Sequence, residues 1–404
     1  MTQLGLIPDP GFTVPPEWEP WLRTADDVAA TLRKDIVARD AAGEVPVAEF
    51  ELIRRSGLLR VAIPEEYGGA GQPWVLATQI ARRIARVDAG IAHILAYHYA
   101  WTRNLHLLRP GTALLTETVE KDWLWASPGS ARLVGLLRSR RIDGSIVITG
   151  DVGFATGAPV ADRLYTYVQD VDSGRIGVVA IDPTTPGVTI GDGWDMLGQR
   201  LSASPAVRFV DVSLPDSELV IEFGPAVEPA SPIQSLSVLN FQLLFAVLEL
   251  GIAEGALLDA AAYVRDKASP WYHSTVDTVG EEPFILNGFG AHLAAVESVA
   301  ALVERGEHRL QWLNDNAETI TAADRAHVAE AIASAKVTAI EVALEVTGKI
   351  YDLTGARGAS TSLGLDRHWR NARTLSLHDP LAYKHNELGR YFLNGEYPSP
   401  SGYR

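Results

Sequence analysis

The sequence predicts a mostly helical α+β protein in three consecutive parts: a helical segment, an all-β insert and a bundle of long helices. Three observations predict it. Between Ile80 and Trp101 apolar residues recur at steps of three and four, which marks one face of an α-helix. Near residue 123 the texture changes to short runs rich in β-branched residues, separated by turn signals such as Asp172-Ser173-Gly174. After a linker at 223–232 that contains Pro and Gly, long Ala- and Leu-rich stretches read as helix again. The expected boundaries are 1–122, 123–228 and 229–404.

Residues 1–20 are Pro-rich and read as irregular. Two helices follow, over 26–42 with Val28, Leu32 and Val37 near one face, and over 46–59 with Phe50, Ile53 and Leu58 inward. Pro64-Glu65-Glu66-Tyr67-Gly68-Gly69-Ala70-Gly71 is a turn-rich break. One helix is expected over 74–102, with Ile80, Ile84, Val87, Ile91, Ile94, His98 and Trp101 on a single stripe. His98 therefore falls on the buried face, where a core imidazole satisfied by a hydrogen bond is the plain alternative to a functional one.

Strands are expected at 145–149, 163–168, 176–181, 188–190 and 206–212. Helices are expected at 233–267, closed by Pro270, and at 285–314 and 322–352. The polar, Arg- and His-rich stretch 366–380 reads as non-helical. Asp379 then serves as N-cap and Pro380 as N1 of a last helix to about residue 393, closed by Asn394-Gly395. This places His378 directly before the positive end of that helix.

Of 404 residues, 47% are hydrophobic, ample for a large core. A net charge of −15 argues against a nucleic-acid partner, although a local basic patch could still hold a phosphate-bearing cofactor. The absence of cysteine excludes disulfides, thiolate nucleophiles and Cys-ligated metal clusters. The first residues lack the basic-then-apolar pattern of a secretory signal, and apolar runs are interrupted by Glu, Asp or Gly, so a cytoplasmic protein that does not span a membrane is expected. No G-x-G-x-x-G stands at a strand–helix junction and no histidine–carboxylate cluster has metal-ligand spacing, so neither a nicotinamide site nor a metal is expected.

The order of parts resembles the acyl-CoA dehydrogenase fold, which implies a central β-barrel or sandwich domain and a C-terminal four-helix bundle. The break at 63–71 looks like that family's P-x-x-Y-G-G-x-G loop, and Gly198-Gln199-Arg200-Leu201-Ser202 looks like its G-x-R-x-S turn. Arg370-Asn371-Ala372-Arg373 stands where the family has R-D-A-R. The E-G-T that often supplies the dehydrogenases' carboxylate base is missing, and Leu377-His378-Asp379-Pro380 stands near its place. Trp369 through Lys384 is closer to the dibenzothiophene monooxygenase branch, two-component flavin monooxygenases with which indole-type oxygenases share the fold. Tyr97-His98-Tyr99, Trp194-Asp195 with Gly198-Gln199-Arg200, and Arg265-Asp266-Lys267-Ala268-Ser269-Pro270-Trp271 also resemble that branch.

The resemblance implies a reduced-flavin-dependent monooxygenase that forms a C4a-(hydro)peroxyflavin with molecular oxygen and oxygenates an aromatic or heteroaromatic molecule. Reduced FMN or FAD then comes from a separate NAD(P)H:flavin reductase, and the protein is a homotetramer or homodimer. His378 and His98 are the candidate catalytic residues, because a neutral imidazole both donates and accepts a hydrogen bond. The resemblance implies flavin contacts from Trp125 and Ser127, from Phe154 and Thr156, and from Trp194. Arg265, Lys267 and Arg370, with Asn371 beside it, are candidates for the flavin's polar groups and phosphate, which cations pair with readily. His368 and His385 are expected at the surface. The alternative function is an acyl-CoA dehydrogenase, which would desaturate an acyl thioester with bound FAD.

Overall fold

The computed structural model describes residues 14–129, 137–225, 231–397 and 399–401. The first helices are α1 (Glu19–Leu32), α2 (Ile36–Ala42) and α3 (Val47–Ser56), so the single helix expected over 26–42 is two. The helix expected over 74–102 is also two, α4 (Trp74–Ala85) and α5 (Ala89–Leu108), followed by α6 (Ala113–Glu120). The cause of the second break is Asp88. It leaves helical geometry at φ −136°, its carboxylate accepts the Ile91 N–H at 3.1 Å, and Arg39 donates to its other oxygen at 2.8 Å.

The β part holds β1 (Trp125–Ala126), β2 (Leu137–Ile142), β3 (Ser145–Val152), β4 (Arg163–Asp170), β5 (Arg175–Ile181), β6 (Val188–Ile190), β7 (Val207–Pro215) and β8 (Leu219–Pro225). They form one mixed sheet in the order β6-β7-β3-β2-β4-β5-β8, with β1 running parallel beside β4 in the register Trp125↔Arg163. The five expected strands fall within β3 to β7. Of the others, β8 takes up the start of what reads in sequence as a linker. The run Leu137-Arg138-Ser139-Arg140 in β2 hides its strand character behind arginines, although Leu137 and Ser139 are buried and Arg138 and Arg140 are not.

Three long helices follow: α7 (Leu236–Lys267), α8 (Pro283–Asp315) and α9 (Ala322–Gly358), the last kinked at Gly355. The stretch read as non-helical contains α10 (Asp366–Leu375), which buries Arg367, His368, Asn371, Ala372 and Leu375 along one side. Polar composition misled here, because Arg367 and Arg370 on this helix are held by carboxylates. Then comes α11 (Leu381–Asn394), ended by Gly395 at φ 68°. Its N-cap is Pro380 with no side-chain cap, so Asp379 does not cap it.

In the core, α7 packs against α9, α8, α4 and α5. By length and composition alone α7 and α8 are long and apolar enough to cross a membrane, as core helices also can be; 89% of the apolar window of α7 is buried within the fold, against 17% for α8. The seam between the sheet and α10 is closer than any side chain allows. A Cβ on Gly198 would lie 1.9 Å from the Arg370 carbonyl oxygen, so only glycine fits. Across that seam Gly198 N–H donates to Thr374 Oγ1 at 2.8 Å and Gln199 N–H to Asn371 Oδ1 at 2.6 Å.

Candidate active site

A cavity of about 520 Å³ lies where α5, α7, the turns of the sheet and the α10–α11 connection meet. α5 contributes His93, Tyr97 and Trp101, spaced four apart and so on one helical stripe. α7 contributes Phe241, Gln242 and Phe245. The sheet side supplies Ser127, Phe154, Thr156, Trp194 and Gln199, and the last connection supplies Leu377 and His378. Tyr97 meets Phe241 edge-on at 5.0 Å, and Trp101 meets Phe241 at 4.4 Å, so two helices build one aromatic wall. Among the described residues no Lys, Arg, Asp or Glu lines this space.

The polar groups lie on the sheet side. Ser202, Ser204 and Thr156 form a chain of hydroxyls at 2.8 and 3.1 Å. The buried Ser127 Oγ and Gln199 Nε2 have no hydrogen-bond partner among the described residues. Phe154 and Trp194 meet edge-on at 6.1 Å, and Phe154 is 63% exposed. Phe154 at φ 56° and Gln199 at φ 54° both hold a left-handed backbone that costs a non-glycine residue on the order of 1 kcal/mol. Two such residues beside one cavity point to geometry kept for a purpose.

Two imidazoles face the cavity. His93 Nδ1 lies 3.1 Å from Gln199 Oε1, so Nδ1 carries the proton and Nε2 presents a lone pair that has no partner among the described residues. Burial lowers its pKa to about 3, against the Gln199 hydrogen bond, and the ring is neutral. His378 Nδ1 lies 3.1 Å from Asp379 Oδ1, and its ring lies tilted against Phe245 with centroids 4.0 Å apart. Its side chain is 35% exposed. Burial lowers its pKa; the Asp379 hydrogen bond opposes this and the charge of Lys336 adds to it. Asp379 is held well below the usual carboxylate range. Burial would raise it, but the His378 hydrogen bond and Lys336 outweigh that.

Of the residues expected from sequence, the structure brings Ser127, Phe154, Thr156, Trp194 and His378 together at the cavity. It does not bring His98. That ring is fully buried, with Nε2 2.7 Å from the Leu59 carbonyl and Nδ1 accepting the Trp125 N–H at 3.2 Å, so both nitrogens serve the fold. Trp125 is buried beside it, its indole N–H bound to Thr118 Oγ1 at 2.8 Å. Arg370 binds Asp366 at 2.8 Å and also Asp40, and Asn371 holds the Gln199 backbone, so both act on the seam rather than in the cavity. Arg265 and Lys267 are exposed at the far end of α7, roughly 30 Å along the helix from Phe245.

His368 is not at the surface. It is buried, 2.9 Å from Asp259, which Arg367 and Arg33 also hold. His385 is half exposed, as expected. His93 is the residue that sequence reasoning missed. Its signal is the pattern His93–Tyr97–Trp101, a stripe of rings on the side of α5 away from His98.

Comparison with known proteins agrees with this geometry. Residues 18–119 match the model for the acyl-CoA dehydrogenase N-terminal domain, and residues 243–382 match the C-terminal domain. A probable FMNH2-dependent monooxygenase, SfnC of Pseudomonas putida, is 35% identical over 95% of this chain and 97% of its own length. A dibenzothiophene monooxygenase of Rhodococcus erythropolis is 33% identical over 93% of this chain and 94% of its own. The solved structure of the methanesulfinate monooxygenase MsuC from Pseudomonas fluorescens superposes with a TM-score of 0.91 at 35% identity, covering 97% of this chain and all of that one.

Proposed function

This chain belongs to the reduced-flavin-dependent monooxygenases built on the acyl-CoA dehydrogenase fold, and we propose that its cavity takes a flat, uncharged aromatic or heteroaromatic molecule. The observation that carries the proposal is the lining. Its walls are aromatic and, among the described residues, without a formal charge. An anion such as a sulfinate would need a cation, and a dehydrogenase would need a carboxylate facing the thioester. Asp379, next to the cavity residue His378, is committed to Lys336 and to His378. The acyl-CoA dehydrogenase reading is therefore disfavoured.

The residues present fit a flavin ring. Ser127, Thr156 and Gln199 offer donors and acceptors to its polar edge, two of them otherwise unpartnered among the described residues, and Phe154 with Trp194 offer flat apolar faces. When bound, reduced flavin supplies the two electrons that split oxygen into one atom for the product and one for water. Everything else falls to the chain. The aromatic wall orients the substrate and excludes bulk water. His93, neutral with its proton on Nδ1, accepts a proton or hydrogen bond at Nε2. His378, its Nδ1 proton directed at Asp379, provides the second proton-handling ring.

FMN is the flavin favoured by the relatives' dependence. It would be delivered by a separate reductase that uses NAD(P)H, which fits a cytoplasmic setting. Arg265 and Lys267 lie too far along α7 to serve the cavity of their own chain, so they would reach flavin phosphate only in a second copy. α8, on which Phe284, Leu286 and Trp312 are exposed, is where such a copy would pack in a homodimer or homotetramer.

The test is turnover with FMNH2 and oxygen, using dibenzothiophene and indole as flat substrates and methanesulfinate as the small anion. Oxygenated product from a flat substrate alone is expected, and turnover of methanesulfinate in preference to both would overturn the proposal. His378→Ala is expected to retain flavin binding while losing most product and releasing hydrogen peroxide.

A further inference from the structure

Behind His378 lies a cation that does not line the cavity. Lys336, near the middle of α9, is 2% exposed. Its ammonium binds Asp379 Oδ1, donates to Gln242 Oε1 at 2.9 Å, and sits 4.7 Å from the centre of the Phe245 ring. All three lie beside His378: Asp379 accepts the hydrogen bond from its Nδ1, Phe245 lies tilted against its ring, and Gln242 stands in the same cavity wall.

We propose that Lys336 is the positioning residue for His378: by fixing Asp379, Gln242 and Phe245 from behind the wall, it sets the tautomer and basicity of that imidazole. A carboxylate buried without a counter-charge would take up a proton and could no longer receive one from His378. With Lys336 in place Asp379 stays ionised, and His378 keeps its proton on Nδ1. Burial lowers the His378 pKa, and the charge of the ammonium adds to that.

The groups facing Lys336 come from three further elements. They are Asp379 before α11, Lys384 on α11, and Gln242, Phe245 and Glu249 on α7. Glu249 is fully buried, its oxygens have no hydrogen-bond partner among the described residues, and burial pushes its pKa well above the usual range. Asp379 is the carboxylate that forms the ion pair with Lys336. Burial, opposed by Asp379, brings Lys336 down to a pKa of about 8.

The role of His378 in turnover rests on the function proposed above, but its state is measured without turnover. Long-range proton–nitrogen correlation on histidine-labelled protein, free of flavin and substrate, reports the tautomer and pKa of each ring. The His378 signal is identified by its loss in His378→Gln. The wild type is expected to show a neutral ring at pH 7 with the proton on Nδ1. In Lys336→Met Asp379 loses its counter-charge and takes up a proton, so His378 should lose its Nδ1 preference and, with that acceptor neutralised, its pKa should fall. Asp379→Asn should lower the pKa and remove the Nδ1 preference. In that background Lys336→Met should shift it less, because the two act through one contact.

An unchanged His378 in folded Lys336→Met overturns the inference. If Lys336→Met does not fold, an unchanged His378 in Asp379→Asn overturns it equally. With a substrate that turns over, Lys336→Met is expected to lower kcat about tenfold with KM held. Full product yield from His378→Ala would sink the function assigned to that ring and leave the resonance result standing.

Discussion

Gln199 Oε1 lies 3.1 Å from His93 Nδ1, and Gln199 holds that position on a left-handed backbone at φ 54°. Local strain and the tautomer of a cavity imidazole are thus joined in one residue. Gln199→Gly relieves the strain and removes the acceptor. Stability is expected to stay within about 1 kcal/mol of the wild type while product formation falls about tenfold or more. Urea unfolding beside product yield checks this, and a parallel loss of both would make Gln199 a folding residue only.

Gly198→Ala is expected to be far more damaging than its size suggests. The added carbon would meet the Arg370 carbonyl at 1.9 Å, and the backbones must part. A loss of about 3 kcal/mol or more is expected, read as a fall in thermal midpoint. An unshifted melting curve would mean that the seam opens freely.

Arg370→Ala separates the seam from the flavin. The guanidinium holds Asp40, which is 7% exposed, and Asp366. Removing it leaves Asp40 buried without its partner, at a cost of roughly 3 kcal/mol. Flavin affinity of the folded fraction is expected to be unchanged, and titration with FMNH2 under anaerobic conditions measures it. A large loss of affinity in well-folded protein would return Arg370 to the phosphate-binding role expected from sequence.

Acid should destabilise the protein earlier than carboxylate titration alone predicts. Burial lowers the pKa of His98 to about 4, against its bond to Leu59, and that of His93 to about 3. In both cases the unfolded chain binds the proton more tightly than the folded one. The stability they contribute is complete above about pH 6.5 and is lost as pH falls toward their folded values, on the order of 3 kcal/mol for each ring. Unfolding free energies measured from pH 7 to 4.5 test the slope. His98→Asn should flatten it, and an unchanged slope would show that His98 is protonated in the folded state.

Phe241→Ala should open the aromatic wall between Tyr97 and Trp101. A flat substrate is expected to bind about tenfold more weakly, with flavin affinity retained. Equal losses for substrate and flavin would place Phe241 on the flavin instead.

Much of the fold was legible because it rests on period and punctuation. The long helices and the central strands carry uninterrupted apolar patterns, and the loop at 63–71 and the turn at 198–202 stand out by residue type. The errors have particular causes. Asp88 interrupts an otherwise continuous helical pattern with a cap that periodicity does not register. α10 was hidden because Arg367, Arg370 and His368 are satisfied by the carboxylates of Asp259 and Asp40, which composition cannot distinguish from water.

The choice of His98 over His93 has a geometric cause. Five residues apart on a helix, the two rings point about 140° from each other. α5 is buried nearly all round, so both look equally inward in sequence. The apolar stripe marks the side that packs, whereas the cavity lies along the aromatic stripe. His378 was found because the motif around it was distinctive, yet Lys336, which holds Asp379 beside it, lies more than forty residues upstream with no local signature.

The contacts around the cavity close on themselves. From His93 the path runs to Gln199, across the seam to Asn371, along α10 to His378, onto the ring of Phe245, and back to His93 at 6.1 Å. In mechanical terms this is a closed linkage, with members drawn from the first helices, the sheet and the last helices. A closed linkage has fewer free motions than an open chain of the same joints. The spacing of the two imidazoles is therefore set jointly by all three parts of the molecule, and loosening any one joint slackens both rings together.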